Sequence, residues 1–162
     1  MAGINRALAQ VLADAGLAYR GRTHYAGRPL IVTRNDHGLR LYNGDIGIVV
    51  EDEDGHPQVL FAQPGGGVRR VPAARLPAHE TAYALTVHKS QGSEFDEVVL
   101  VLPPAQAAGE ALAGRELLYT AITRARRRLE LALPGGVLEP RWLRASEYRS
   151  GLGDRLAPAS RR

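Results

Sequence analysis

The sequence contains no cysteine and only one lysine in 162 residues. The absence of cysteine excludes a disulfide-stabilised scaffold and a thiolate metal site, and it is compatible with a reducing compartment, so we expect a cytoplasmic protein. Arg6 and Asp14 interrupt the apolar pattern at the N-terminus, which argues against a signal peptide. No apolar run approaches the length of a membrane-spanning helix, so we expect no membrane partner.

The scarcity of lysine also excludes one common nucleotide-binding loop. A Walker loop needs glycine-rich backbone followed by a lysine and a Ser or Thr. The only lysine, Lys89, lies in the segment TVHKSQG and has no such glycines before it. The sequence therefore has no P-loop.

Hydrophobic residues and arginine are abundant. A chain of 162 residues with 44% hydrophobic content can bury a core and form one ordinary domain or two small ones. The net charge is +4, and 20 of the 21 basic residues are arginine. Since the planar guanidinium binds phosphate, nucleic acid or a nucleotide is a candidate partner. The same bias occurs in chains from high-GC genomes, so composition does not decide between these explanations.

The first half of the sequence predicts a helix followed by short strands. Apolar residues at helical spacing predict a packing helix over 4–15, which Gly16 would end. From 28 to 76, short β-like runs alternate with turn residues and predict a small, strongly bent antiparallel barrel. The turn residues are Asn43-Gly44, Asp54-Gly55 and the three glycines at 65–67.

An acidic run follows one of these apolar strands. An apolar strand that ends in acidic residues is also the pattern of a magnesium site. The run, at 51–54, continues directly into Gly55 and a further strand-like segment. We therefore favour a solvated hairpin over a metal site.

The second half of the sequence has an α/β pattern with the texture of a parallel sheet. We expect a strand over 82–85, a fully buried strand over 98–102, a helix over 115–123 and a strand over 128–133. The tail is rich in Gly, Pro and Arg, with an amphipathic piece around Trp142.

A polar segment, TVHKSQGSEFD, comes directly before the buried apolar run EVVLVLP. Thr86 is placed to cap a short helix through His88 and Gln91, and Gly92 suits the left-handed residue that would close it. These structural roles do not explain the other polar side chains, His88, Lys89, Ser90, Gln91 and Glu94. Because ligands of open α/β sheets bind beyond the carboxyl ends of strands, the segment indicates a surface for a polymer or nucleotide.

A cluster of four arginines follows the apolar face of the helix predicted over 115–123. The cluster is formed by Arg124, Arg126, Arg127 and Arg128. Favourable placement at a helix C-terminus accounts for one or two cations but not for four. Because side chains alternate between the two faces of a strand, Arg127 would lie on the opposite face from Arg126 and Arg128. The cluster is therefore expected to point its charges in more than one direction.

Two segments resemble motifs of superfamily 1 helicases. TVHKSQGSEFDEVVLVLP resembles motif V, LLYTAITRARRRLEL resembles motif VI, and both together with GRPLIVTRNDHGLRLYNGDIGIVV are most similar to RecD-like helicases. That family includes the alpha subunit of exodeoxyribonuclease V, which acts in recombinational repair of double-strand breaks. The resemblance covers residues 4–133.

The resemblance implies an α/β fold, namely part of a RecA-like second motor domain of P-loop NTPase type with an inserted SH3-like β-barrel. The implied limits are 1–27 for an N-terminal helix and link, 28–80 for the barrel, 81–134 for the motor subdomain with both motifs, and 135–162 for the tail. It also implies that the chain is the C-terminal piece of a longer ATP-dependent DNA helicase.

The resemblance further assigns roles to individual residues. Single-stranded DNA would be contacted by Thr86, His88, Lys89 and Ser90. The nucleotide side would be formed by Gly92, Glu94, Arg124 and Arg126, with Arg124 as the catalytic arginine finger on the γ-phosphate.

Cofactors and partners are implied in the same way. ATP and Mg²⁺ would be bound mostly by a first motor domain that this sequence lacks, so we expect no cofactor, no metal ligand and no ATP hydrolysis in this chain alone. The implied partners are single-stranded DNA and the missing N-terminal motor domain, with the RecB and RecC subunits as candidates. The alternative is a free-standing module that binds nucleic acid or protein without ATP chemistry.

Overall fold

The computed structural model describes residues 1–18, 21–103 and 114–144. The chain forms two compact units, Met1–Lys89 and Ser90–Arg162. Within the described residues, no helix combines the length and apolar character needed to cross a membrane. The part of the predicted tail beyond residue 144 lies outside the described residues.

The first unit begins with helix α1, Ala2–Asp14, which confirms the helix predicted from the apolar spacing. Gly16 follows it with a φ of 74°, the left-handed conformation expected of a residue that ends a helix. The helix has no buried residue, and Val11 in its apolar stripe is 64% exposed. The apolar stripe of α1 is therefore largely exposed within the described chain, and the packing role expected for it is not seen there.

The rest of the first unit is a five-stranded antiparallel sheet with the order β4-β3-β2-β1-β5. The short strands predicted between the turn residues are confirmed, and consecutive neighbours β2–β3 and β3–β4 form hairpins. The strands are β1 (Pro29–Val32), β2 (Ile46–Glu51), β3 (Pro57–Ala62), β4 (Val68–Pro72) and β5 (His79–Thr81).

One face of this sheet forms the core of the unit. In β2, the side chain of Val49 is fully buried whereas its neighbour Ile48 is half exposed, as expected for a strand with one buried face. A 3-10 turn, Ala73–Arg75, follows β4 and adds Ala73 to the core. The buried cluster consists of Leu30, Val32, Leu41, Val49, Val59, Phe61, Val71 and Ala73.

Gly47 marks the tightest packing in this core. It pairs with Phe61 across the β2–β3 ladder and lies on the buried face. A Cβ at this position would lie 2.6 Å from Cγ1 of Val59 and 2.7 Å from Cε1 of Phe61. Only glycine lets the two strands keep these side chains in place.

We predict that Gly47→Ala destabilises the protein by about 1–3 kcal/mol, because an added methyl group overpacks the core. Urea unfolding followed by circular dichroism measures the change. Gly3→Ala is the matched control, since a Cβ there meets nothing within 4 Å and alanine favours the helix. Equal stability of the two variants would show that the core adapts without cost.

The strand predicted over 82–85 is wrong, because β5 ends at Thr81 and the next residues belong to no strand. The side chain of Asn5 satisfies the backbone of Ala84 in place of a neighbouring strand. Asn5 donates its amide Nδ2 to Ala84 O at 2.9 Å and accepts from Ala84 N at 2.8 Å. The hydroxyls of Tyr83 and Tyr25 are 2.9 Å apart and bond to each other.

The second unit contains two parallel strands and one helix in its described part. The strands are β6 (Phe95–Val101) and β7 (Ala125–Ala132), and the helix is α2 (Arg115–Ile122). These elements confirm the predicted strand-helix-strand order and the parallel pairing. A 3-10 turn, Pro140–Leu143, brings the buried ring of Trp142 to the unit, and Arg115 N donates to Arg144 O at 2.9 Å.

The prediction that the strand over 98–102 is fully buried is wrong for the described residues. Leu100 and Leu102 are buried, but Val99 is 63% and Val101 59% exposed. The exposed valines pair with Glu130 and Ala132 on the same face of β7. That face of the strand pair is not covered by any described residue, which the apolar run alone could not reveal.

Candidate nucleic-acid and nucleotide site

The polar segment forms a hydrogen-bonded turn over 87–92 between β5 and β6. The hydroxyl of Thr86 accepts from Lys89 N at 3.2 Å, which is the capping bond expected from the sequence. Gly92 has a φ of 83° and closes the turn in the left-handed conformation, also as expected. The segment is a turn and not the short helix that we predicted.

The side chains proposed to contact DNA have different surroundings within this turn. His88 is exposed, whereas Ser90 is buried and its carbonyl accepts from Ser93 N at 3.0 Å. The Nζ of Lys89 donates to Glu80 Oε2 at 2.7 Å, in an exposed ion pair. The only lysine ammonium of the chain is therefore already paired with a carboxylate of β5.

The turn does not occupy the position in a sheet on which our sequence argument relied. The strand before it, β5, belongs to the antiparallel sheet, so the turn does not follow a strand of the parallel pair. Instead, its last residues lead into the start of β6. The turn therefore does not lie beyond the carboxyl end of a parallel strand, as the sequence led us to expect.

Within the second unit, the starts of β6 and β7 bring the two motif-like segments together. Phe95 N donates to Arg124 O at 2.8 Å, and Phe95 pairs with Ala125 in the parallel register. Beside this bond, Nε of Arg126 donates to Oε2 of Glu94 at 2.9 Å. Two residues predicted for the nucleotide side, Glu94 and Arg126, thus form an exposed ion pair with each other.

Arg124 lies just beyond the C-terminus of α2 and is half-buried. All three of its side-chain nitrogens donate hydrogen bonds: Nε to Thr120 O at 3.1 Å, Nη1 to Ser93 O at 3.0 Å, and Nη2 to Thr123 Oγ1 at 3.1 Å. The side chain therefore ties the end of α2 to the segment before β6. Since a guanidinium carries five N–H donors, two remain for an anion.

The other arginines of the cluster are exposed. Arg128 pairs with Glu130 two residues further along β7, so its charge is balanced within its own strand.

The sequence did not single out Ser93, Thr120 or Thr123, which orient Arg124. A small polar residue and two threonines carry no recognisable pattern, and only the folded chain shows that they converge.

The acidic hairpin between β2 and β3 gathers Asp52, Asp54 and His56, with one ligand-type atom of each within 4.8 Å of the others. Asp52 Oδ1 accepts from His56 N at 2.7 Å and from Asp54 N at 3.1 Å. The His56 backbone bond is the main cause that holds the pKa of Asp52 below its usual range. These bonds give Asp52 the role of a turn-forming residue in the solvated hairpin favoured by the sequence.

Comparison with known proteins agrees with these motif-like segments. The family described as UvrD-like helicase C-terminal domain matches residues 81–132. RecBCD enzyme subunit RecD of Mycolicibacterium smegmatis is 42% identical over 135 residues, which is 83% of this chain and 23% of that protein. The same subunit of Haemophilus influenzae is 36% identical over 155 residues, which is 94% of this chain and 22% of that protein.

The chain is a RecD-like C-terminal helicase region. The region spans less than a quarter of the length of these relatives. The Pif1 helicase from Bacteroides has a similar structure, with a TM-score of 0.50 and 20% identity over 81% of this chain and 33% of that one. This likeness supports a helicase α/β fold for the RecD-like region.

We predict that Arg124→Ala destabilises the RecD-like region by about 1–3 kcal/mol, because it removes three bonds to half-buried acceptors. Arg126→Ala, which breaks only an exposed ion pair, should cost less than about 1 kcal/mol. Urea unfolding of both variants measures the difference. Equal costs would mean that the Arg124 guanidinium does not hold these bonds in solution.

Proposed function

We propose that this region acts inside a longer RecD-type DNA helicase, where it contributes contacts to single-stranded DNA and the arginine finger for ATP hydrolysis. The observation that carries the proposal is the place of Arg124. Its backbone is bonded to the first residue of β6 and its guanidinium is oriented by three acceptors. An arginine held in this way is preorganised, so little reorganisation is needed when charge develops on a phosphate.

The residues around Arg124 suit the edge of a nucleotide. Two N–H groups of its guanidinium remain after the three bonds are counted, and these can donate to phosphate oxygens. Arg126 adds a second cation, which Glu94 positions, and Gly92 provides backbone without a side chain. When ATP and Mg²⁺ are bound, ATP supplies the phosphoryl group. This chain has no P-loop that could hold the nucleotide.

Division of the chemistry between two domains is physically reasonable. Phosphoryl transfer depends mostly on positioning and charge stabilisation, so one domain can hold the nucleotide while another supplies an arginine. We propose that the ATP and Mg²⁺ ligands lie in an N-terminal motor domain of the complete protein. The region alone should then be inactive as an ATPase.

The turn over 87–92 is the proposed contact with single-stranded DNA. His88 offers an exposed imidazole, and Thr86 a hydroxyl that still has a donor proton after capping Lys89. Lys89 would exchange its exposed bond with Glu80 for a phosphate. Ser90 is buried, so we assign it a supporting role in the shape of the turn.

The domain limits and cellular setting are part of the same proposal. We assign 1–27 and 81–134 to a RecA-like motor domain and 28–80 to an inserted SH3-like barrel, since the antiparallel sheet runs from Pro29 to Thr81. The tail, 135–162, has no assigned role. The relatives are subunits of the RecBCD enzyme, so we propose RecB and RecC as partners, in the cytoplasm, in recombinational repair.

We predict that the region binds a labelled 20-nucleotide oligothymidine weakly, and that the double substitution Thr86→Ala with His88→Ala weakens binding at least about fivefold. The reason is the loss of two polar contacts to the strand. Fluorescence anisotropy at low salt measures the affinity. Thr23→Ala with His56→Ala is the control, because it removes the same groups from exposed positions elsewhere in the first unit. Equal affinities of the two double variants would remove the turn from the DNA-binding surface.

We predict no ATP turnover above background by the region alone, and a loss of about 10³–10⁵ in rate for Arg124→Ala in the complete helicase, as for other arginine fingers. Phosphate release with single-stranded DNA present measures both. Arg144→Ala, an exposed change, is the control and should leave the rate unaltered. Normal turnover per folded molecule in the Arg124 variant would leave Arg124 a purely structural residue.

A further inference from the structure

A concave surface of about 420 Å³ lies on the antiparallel unit, and none of the residues proposed for DNA and nucleotide lines it. It is formed by the loop 38–40, strand β4 and the 3-10 turn Ala73–Arg75. Four arginines line this surface, which we call the arginine cleft: Arg40, Arg69, Arg70 and Arg75. Arg40 lies within the segment GRPLIVTRNDHGLRLYNGDIGIVV, and the other three lie outside the sequence motifs discussed above.

Arg69 has a structural part in the arginine cleft. Its Nη1 donates to Leu39 O at 2.7 Å and to Arg40 O at 2.8 Å. Arg40 has a φ of 50°, which is uncommon for a residue with a side chain. By bonding both carbonyls, Arg69 fixes the loop in this conformation and keeps its own positive charge at the cleft.

The other three arginines of the cleft are exposed. Some arginines elsewhere in the described chain pair with carboxylates, as in Arg22–Glu51 and Arg128–Glu130. Within the same described residues, no carboxylate forms an ion pair with Arg40, Arg70 or Arg75. One acid, Asp36, lies at the loop, where its Oδ1 accepts from Leu39 N at 2.9 Å. With four guanidinium groups and this one carboxylate, the cleft has a positive net charge.

We propose that the arginine cleft binds the phosphate backbone of duplex DNA. Arginine forks match phosphate oxygens, and contacts of this kind position a duplex without reading its sequence. The lining residues include no aromatic side chain on which unpaired bases could stack, which disfavours a single strand. Val71 is buried in the core and Leu39 packs against it, so the cleft offers little apolar surface for anchoring a protein partner.

This inference deepens the proposed function and rests on it, since duplex DNA is the substrate that a helicase unwinds. The cleft and the turn over 87–92 would then contact different forms of DNA. Contacts through phosphate alone predict binding that does not depend on sequence and that weakens steeply with salt.

The test compares a blunt 20-base-pair duplex with a 20-nucleotide oligothymidine, by fluorescence anisotropy of the 162-residue chain over a range of salt concentrations. The cleft variant carries Arg40→Gln, Arg70→Gln and Arg75→Gln and leaves Arg69 in place. The control variant carries Arg6→Gln, Arg115→Gln and Arg144→Gln, which removes the same charge from exposed positions outside the cleft. Circular dichroism verifies that both variants are folded.

We expect the cleft variant to bind the duplex at least tenfold more weakly than wild type at low salt. Its slope of log K against log salt should be shallower by about 2.7, since each phosphate contact contributes about 0.9. The control variant should lose less than about threefold, and oligothymidine binding should be similar in the two variants. If the cleft variant does not fold, the single reversal Arg70→Glu, compared with Arg6→Glu, is expected to weaken duplex binding at least fivefold.

Four results would overturn the proposal: no duplex binding by the wild-type chain, equal losses in the cleft and control variants, equal losses for duplex and oligothymidine in the cleft variant, or tighter cleft-dependent binding of a labelled oligoglutamate. The last would assign the cleft to an acidic protein segment.

The outcome is separable from that of the proposed function, because the Thr86 and His88 variant tests single-strand binding alone. Duplex binding through the cleft can persist when single-strand binding is absent, and the reverse also holds.

Discussion

The parallel pairing of β6 with β7 is the interaction on which the candidate nucleotide site depends. The bond from Phe95 N to Arg124 O joins two polar segments that lie about thirty residues apart in the chain. Because side chains alternate along a strand, a shift of one residue in this register would separate Glu94 from Arg126. The site therefore exists only if the strand pair forms in its correct alignment.

Arginine has three distinct functions in this chain, which composition alone could not separate. Some guanidiniums donate to carbonyl or hydroxyl oxygens and hold the backbone, as Arg28, Arg69 and Arg124 do. Others form exposed ion pairs, which contribute little to stability. Arg40, Arg70 and Arg75 of the cleft form no ion pair with a carboxylate among the described residues, so their charge is available to a partner.

Local patterns were sufficient to predict the elements that depend on local contacts. The spacing of α1 and the turn residues between β2, β3 and β4 determine structure within a few residues, and those predictions are confirmed. The strand predicted over 82–85 is wrong because its backbone is satisfied by Asn5, which is distant in sequence. The exposure of Val99 and Val101 likewise depends on which segments cover the strand pair, and an apolar run does not contain that information.

The candidate site was predictable in its residues but not in their contacts. Resemblance to helicase motifs identified Arg124, Glu94 and Arg126, whose roles in catalysis stay predictions. Their hydrogen bonds could not be inferred, because Thr120 and Ser93 come close to Arg124 only after α2 and β6 are in place. The arginine cleft was missed for a similar reason, since Arg69 and Leu39 are 30 residues apart.

The two hydrogen bonds between Asn5 and Ala84 have a consequence for the order of folding. They close a loop of 79 residues, and such long closures are entropically costly until the intervening chain is ordered. The antiparallel sheet lies entirely within this loop and can form from nearer contacts first. Helix α1 would then attach last in this unit, and Ala84, just before the polar turn, would gain its two bonds to Asn5 only at that final step.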